Sequence, residues 1–171
     1  LPGVAVFVEL AARSAFSFLQ GASLPEEMLE QAARLGLPAL GLCDRDGIYG
    51  VVRAWSRQKS LHSEGGVAPR LLVGAELGVE LEAQGGPASL FRLLLLPADL
   101  AGYERLCRLL TLAQQRGPQG KVVVTAGELA QDTEGLWALL PLAEEHEAKE
   151  AETLSAVAVV RELFGQRARL L

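Results

Sequence analysis

The sequence predicts an α/β fold built on a mainly parallel sheet, open or barrel-like, and three observations predict it. Two apolar segments, Val4–Leu10 and Ala39–Cys43, flank one amphipathic helix, which is the pattern of a βαβ unit with parallel strands. Strand-like and helix-like segments go on alternating to the end of the chain. Leu93–Leu96 is an unbroken apolar run, as expected of a strand buried on both faces. A length of 171 residues suits one domain with a real core, spanning residues 1–171.

After the first strand, Ala11–Ala22 reads as a loop. Ser23 with Glu26 has capping-box spacing and Pro25 suits a first turn, so a helix is expected from there to about Leu35. Met28, Leu29, Ala32, Ala33 and Leu35 form its apolar stripe, and Gly36 stops it. An acidic turn, Asp44–Gly47, follows the second strand. Ile48–Leu61 reads as a second helix, with Val51, Val52, Trp55 and Leu61 inward and Arg53, Arg57 and Lys59 in solvent. His62–Pro69 is expected to be a loop and Leu71–Glu76 a third strand. Gly78–Glu82 and Ser89–Leu96 flank a Q-G-G-P turn and are expected to form a hairpin.

Asp99 can cap a long helix to about Gln115, with Tyr103, Leu106, Cys107, Leu110 and Leu112 as its stripe. Gly117–Gly120 is a turn and Lys121–Val124 a short strand. Thr125 with Glu128 repeats the capping box for a helix to about Gln131. Gly135–Leu140 is a strand, and the acidic Ala143–Glu152 a solvated helix or loop. A last helix covers Leu154–Phe164, and Arg167–Leu171 can begin one more strand.

A net charge of −5 gives no global basic field for nucleic acid. The two cysteines, Cys43 and Cys107, have no metal or redox spacing and read as reduced thiols of a cytoplasmic protein. No run of 18 apolar residues and no signal-like amino terminus is present. The chain opens on Leu1 and not Met, as an excised domain would. His62 and His146 are its only histidines. Both read as solvated, and the His146–Glu150 spacing is a weak metal signal. Ser14 and Ser17 have no partner positioned by sequence to activate them as nucleophiles. No phosphate-loop motif occurs near Gly47 and Gly50.

The residues around the first βαβ unit carry a resemblance. F-V-E-L-A-A-R-S-A-F-S-F-L-Q-G-A-S and C-D-R-D-G-I-Y-G resemble the PHP (polymerase and histidinol phosphatase) domain of bacterial DNA polymerase III alpha subunits. The error-prone alpha-type polymerases are the most similar. There the strands usually run into E-L-H-x-H-S-x-F-S-F-L-x-G-A-S and T-D-H-x-G. G-Y-E-R-L-C-R-L-L-T at Gly102–Thr111 and E-G-L-W-A-L at Glu134–Leu139 extend the resemblance over nearly the whole chain. It implies a distorted (β/α)7, TIM-barrel-like domain, truncated here before the family's last strands.

The family's site holds divalent metals such as Zn, Mn or Mg on His, Asp, Glu and sometimes Cys. By resemblance, Asp44 and Glu76 match family acids. Ala11, Arg13 and Arg45 stand where ligand histidines belong, Arg92 matches a further ligand position, and Gln20 stands where many relatives have Asp. A guanidinium has no lone pair to give a metal. Two readings of these arginines stay open: surface residues of a decayed site, or fixed positive charges that pair with Asp44, Asp46 and Glu76 in place of the ion. Binding of an anion by the same cluster is a weaker third.

The resemblance thus implies a catalytically inactive PHP-like domain, without catalytic residues or a cofactor of its own. It would serve as scaffold and partner-docking module of an error-prone polymerase active in DNA replication and repair synthesis. Its partners would be the remaining domains of that polymerase and replication or repair accessory proteins, with DNA reached through the parent nucleotidyltransferase and no membrane. The alternative is a metal-dependent phosphoesterase or proofreading-type exonuclease with a rebuilt site. A free-standing regulatory protein derived from the polymerase is a third.

Overall fold

The computed structural model describes residues 7–81, 88–116, 122–142 and 150–171. They group into two compact units, Leu1–Ala75 and Glu76–Leu171.

In the first unit, β1 (Glu9–Ala12) pairs in parallel with β2 (Ala39–Arg45) through α1 (Pro25–Arg34), which is the expected βαβ unit. The register places Glu9 beside Leu40 and Ala12 beside Leu42, with an irregularity between. β1 therefore starts later than the apolar run suggests and takes in Ala11 and Ala12, two residues expected in the loop. Residues 1–6 of the expected strand lie outside the described residues.

The α1 cap also sits one residue later than expected. Leu24 is the N-cap, Pro25 occupies the first turn, and the Glu27 carboxylate accepts from the Leu24 N–H at 2.8 Å. Ser23 and Glu26 do not form the box. Leu24 has no side-chain oxygen, so only the carboxylate half of a capping box exists. The helix ends in a Schellman arrangement: Gly36 sits at φ +68°, its N–H donates to Ala33, and the Leu37 N–H donates to Ala32. Leu29 and Ala32 are buried with Leu40, and Ala12, Met28, Leu37, Leu61 and Leu71 pack around them. Leu35, one residue past the helix, is 64% exposed rather than part of the stripe.

Helix α2 (Val51–Ser63) starts three residues later than expected and runs two further, so His62 lies in its last turn and not in a loop. Its burial differs from the sequence reading. Only Ala54 is buried, while Val52 and Trp55 face solvent. Leu61 packs against Leu29, Ala32 and Leu40 as expected, and Arg53 and Arg57 tie α2 to α1 through Glu26 and Glu30.

Strand β3 (Arg70–Leu81) begins in the first unit and ends in the second. It runs on through Gly78, so the expected third strand and the first arm of the hairpin are one element. Gly78 is required there, because a side chain would press on Val123 of β5. The hairpin's Q-G-G-P turn lies outside the described residues. The second unit continues with β4 (Ser89–Pro97), α3 (Leu100–Arg116), β5 (Val123–Thr125), α4 (Ala126–Leu129) and β6 (Leu136–Leu140). α5 (Glu150–Phe164) and β7 (Ala168–Leu170) complete it. Its strands run in the order β5-β3-β4-β6-β7. β3–β5 and β6–β7 are parallel, but β4–β6 is antiparallel, so the sheet is mixed. Leu93, Leu94 and Leu95 on β4 are fully buried, as the apolar run implies.

The Asp99 carboxylate caps α3 by accepting from the Gly102 N–H at 2.8 Å. Leu106, Leu109, Leu110 and Ala113 form the buried face of α3, a stripe displaced from the expected one; Tyr103, Cys107 and Leu112 lie at its margin. The Thr125–Glu128 box forms as expected. The turn at 117–120 and the acidic stretch at 143–149 lie outside the described residues, and α5 begins at Glu150, four residues before the expected start. Neither cysteine is in a disulfide, and the Cys43 thiol donates to the Leu10 carbonyl at 3.3 Å. No helix among the described residues is long and apolar enough to cross a membrane.

Candidate functional site

The first unit's polar centre is the carboxylate of Asp44, near the carboxyl end of β2 and 1% exposed. A carboxylate so placed is costly unless its lone pairs are filled. Three donors from the 13–23 loop fill them. The Ser14 N–H donates to Oδ1 at 2.7 Å. The Ser14 hydroxyl lies 2.9 Å from Oδ1 and 2.8 Å from Oδ2, its single proton shared between the two. The Ser17 hydroxyl donates to Oδ1 at 2.8 Å. Neither serine is exposed at all.

The serines also organise their own loop. The Ser14 hydroxyl accepts from the Phe16 N–H, and the Ser17 hydroxyl from the Arg45 N–H at 3.0 Å. The Ser14 carbonyl accepts from Ser17, and the Ser17 carbonyl from Gln20 and Gly21. Ala15 closes the loop by donating to the Ser23 carbonyl at 2.8 Å. Two glycines make room. A Cβ at Gly21 would overlap the Ser14 carbonyl, and one at Gly50 would lie 2.8 Å from Asp44 Oδ2 and 3.1 Å from Ser14 Oγ. The loop, the end of β2 and the start of α2 are therefore built around one carboxylate.

Of the residues singled out in the sequence, Ala11 lies in β1, where its N–H donates to Glu9 Oε1 at 2.7 Å. Arg13 is half-buried just after β1, and Gln20 is exposed on the loop. The Arg45 guanidinium lies 3.8 Å from Asp46, whose φ of +58° turns the chain directly after β2. The arginine–acid reading sets Arg13, Arg45 and Arg92 together against Asp44, Asp46 and Glu76 without assigning pairs. The bonds described for Asp44 come instead from the two serines, which the sequence offered only as unsupported nucleophiles. In the second unit Glu76 is buried on β3 between Ala75 and Leu77, and Arg92 is half-buried on β4. His62 is exposed with Nδ1 2.9 Å from the Gln58 carbonyl, and His146 lies outside the described residues. Among the described residues no group of three or more His, Cys, Asp or Glu is placed to hold a metal ion.

The arrangement's chemistry is that of a clamp. Its hydroxyls point their protons at the carboxylate, and no imidazole or amine is described beside them to take a proton. The guanidinium beside the turn has donors only.

Comparison with known proteins places this geometry in context. The family model described as "PHP domain" matches residues 9–163. An error-prone DNA polymerase of Anaeromyxobacter sp. (strain K) is 42% identical over 173 residues, covering 96% of this chain and 14% of that protein. The error-prone DNA polymerase of Rhodopseudomonas palustris (strain BisB5) is 38% identical over 136 residues, covering 78% and 11%. The chain thus spans about one seventh of the length of such relatives. Among solved structures, a protein assigned as a metal-dependent phosphoesterase from Bifidobacterium adolescentis superposes with a TM-score of 0.59 at 12% identity, over 89% of this chain and 74% of that one. An amidohydrolase from Chromobacterium violaceum, with bound sulfate and no metal, superposes with 0.53 at 14% identity, over 88% and 72%. At such identities these two likenesses concern the fold alone.

Proposed function

The chain belongs to the PHP domain family, and on that premise we propose that it is a non-catalytic scaffold domain of an error-prone DNA polymerase. In this reading it binds no divalent metal of its own and hydrolyses no phosphoester. The longer polymerase extends primed DNA in replication and repair synthesis, in the cytoplasm, and this domain meets the DNA only through that parent.

One observation carries the reading. The Asp44 carboxylate, at the position where the family resemblance puts an acid of the metal site, is filled by Ser14 and Ser17. The metal that the family implies does not fit the residues present in the first unit. Ala11 has no donor atom, Arg13 and Arg45 have none to give, and each adds a positive charge that repels an ion. Within the first unit, Arg45 beside Asp46 supplies positive charge at the carboxyl end of β2 without an ion.

The test is enzymatic. The purified chain is assayed with p-nitrophenyl phosphate and with 3′-labelled single-stranded DNA, in Mn²⁺, Zn²⁺ and Mg²⁺. No turnover above a blank is expected. Metal-dependent release that is lost in Asp44→Ala would replace this reading with that of a phosphoesterase or exonuclease with a rebuilt site.

A further inference from the structure

The clamp around Asp44 holds up something the scaffold reading does not use. Beyond Ser17 the loop turns outward and exposes Phe18 to 83% and Leu19 to 93%. Leu19 sits at φ +64°, a left-handed conformation that a branched, non-glycine residue rarely adopts. The loop is not slack at this point: the Gln20 and Gly21 N–H groups both return to the Ser17 carbonyl, at 2.9 and 3.0 Å. A strained backbone, braced from below by a buried carboxylate, presents two large apolar side chains to water.

The same carboxylate positions a second apolar surface. Gly50 packs against Asp44 Oδ2 and starts α2, and Arg45 donates its N–H to Ser17. Tyr49 just before the helix is 57% exposed, Val52 69% and Trp55 49%. Val52, Trp55 and Lys59 follow one helical stripe, and the Lys59 ammonium lies 3.6 Å from the Trp55 ring centre. The sequence reading placed Val52 and Trp55 in the core. Much of their apolar surface is left facing water instead.

We propose that Phe18 and Leu19, with the Tyr49–Val52–Trp55 stripe, form a docking surface for an apolar face of another part of the same polymerase polypeptide. This rests on the reading of the chain as a domain of a longer polymerase. The size of the relatives, of which this chain covers about one seventh, supplies a partner that is always at hand. Charge argues against nucleic acid on this surface. Several arginines of the first unit lie beside acids: Arg45 beside Asp46, Arg53 beside Glu26, Arg34 beside Glu30, and Arg57 beside Glu30 and Glu64. The first unit carries seven basic and seven acidic side chains, so it offers phosphates no net positive field. Aromatic and aliphatic anchors on a pre-formed loop suit protein–protein burial, where little ordering entropy is left to lose.

Amide hydrogen exchange tests this in the native full-length polypeptide, with the 171-residue chain measured beside it. Residues 13–23 and 49–55 should exchange roughly tenfold or more slowly in the full-length protein. Phe18→Ser with Leu19→Ser should abolish that difference without lowering the melting temperature of the 171-residue chain, since neither side chain is buried in it. Equal exchange in the two proteins would overturn the proposal. Protection gained only on adding primed DNA would overturn it in favour of a nucleic-acid surface. The mass of the native polypeptide separates this failure from that of the scaffold reading: one no longer than this chain defeats both, and a long one with unprotected loops defeats the docking surface alone.

Discussion

Ser14 and Asp44 stand thirty positions apart, and the Ser14 hydroxyl lies within 2.9 Å of both oxygens of the Asp44 carboxylate. With the Ser14 N–H and the Ser17 hydroxyl, this bond is what shapes the 13–23 loop. Asp44→Ala would leave two buried hydroxyls and one buried N–H without their acceptor. The expected loss of stability is about 3–5 kcal/mol, read from chemical denaturation. Ser14→Ala keeps the N–H bond and should cost about 1.5–3 kcal/mol. The two changes together should cost clearly less than their sum, because they break one interaction. Additive losses would show that the carboxylate is not held by Ser14.

Leu94 on β4 is fully buried, and β4 lies between β3 and β6. Leu94→Asp places an unpaired charge in that strand, among the costliest of single changes. The variant should be unfolded by circular dichroism at 25 °C. A cooperative melt near the wild-type temperature would contradict the position given to β4.

Two glycines should respond differently to alanine. Gly36 has φ +68° and nothing within 4 Å of an added Cβ, so Gly36→Ala should cost only the conformational strain, about 1 kcal/mol. At Gly102 an added Cβ would run into the Gly135 carbonyl, which is backbone and cannot swing away. Gly102→Ala should therefore cost more than Gly36→Ala when the two are compared by thermal melting. The reverse order would contradict the contact between the start of α3 and the turn before β6.

Stability should fall in acid through Glu26. Burial pushes its carboxyl up, but the backbone N–H at the start of α1 and the Arg53 guanidinium outweigh that and hold it below the usual carboxylate value of 4.5. A lowered folded value means that the contribution is complete above the ordinary value and is lost as pH falls through the folded one. Glu26→Gln should flatten that part of the pH–stability curve below 4.5. An unchanged curve would remove Glu26 from the account.

The sequence carried the βαβ unit, the Gly36 stop, the Asp99 cap, the Thr125–Glu128 box and the buried run at Leu93–Leu96. Each rests on chemistry within a few residues: a positive φ, a carboxylate three positions from an N–H, an unbroken apolar run. What was hidden depends on distant partners. Periodicity points Val52 and Trp55 to the core, yet the buried residue of the helix is Ala54, whose small side chain gives little periodic signal. The sequence divides β3 into Leu71–Glu76 and an arm opening on Gly78, because nothing local reveals the neighbouring β5 that a side chain at Gly78 would strike. Ser14 and Ser17 matter only because β2 brings a carboxylate to them from some thirty residues away. The signal in the sequence is two small hydroxyl residues in S-x-x-S spacing among phenylalanines, a pattern that suits a carboxylate clamp as well as a nucleophile.

Metal content tests the central claim most directly. The chain would be produced in medium supplemented with Mn²⁺ and Zn²⁺, passed through a desalting column without chelator, and measured by elemental analysis. A structural Asp44, held by serines beside arginines, predicts well below one ion per chain, unchanged in Asp44→Ala. One or more tightly held ions per wild-type chain, lost on Asp44→Ala, would show that the carboxylate still serves a metal and would contradict the account.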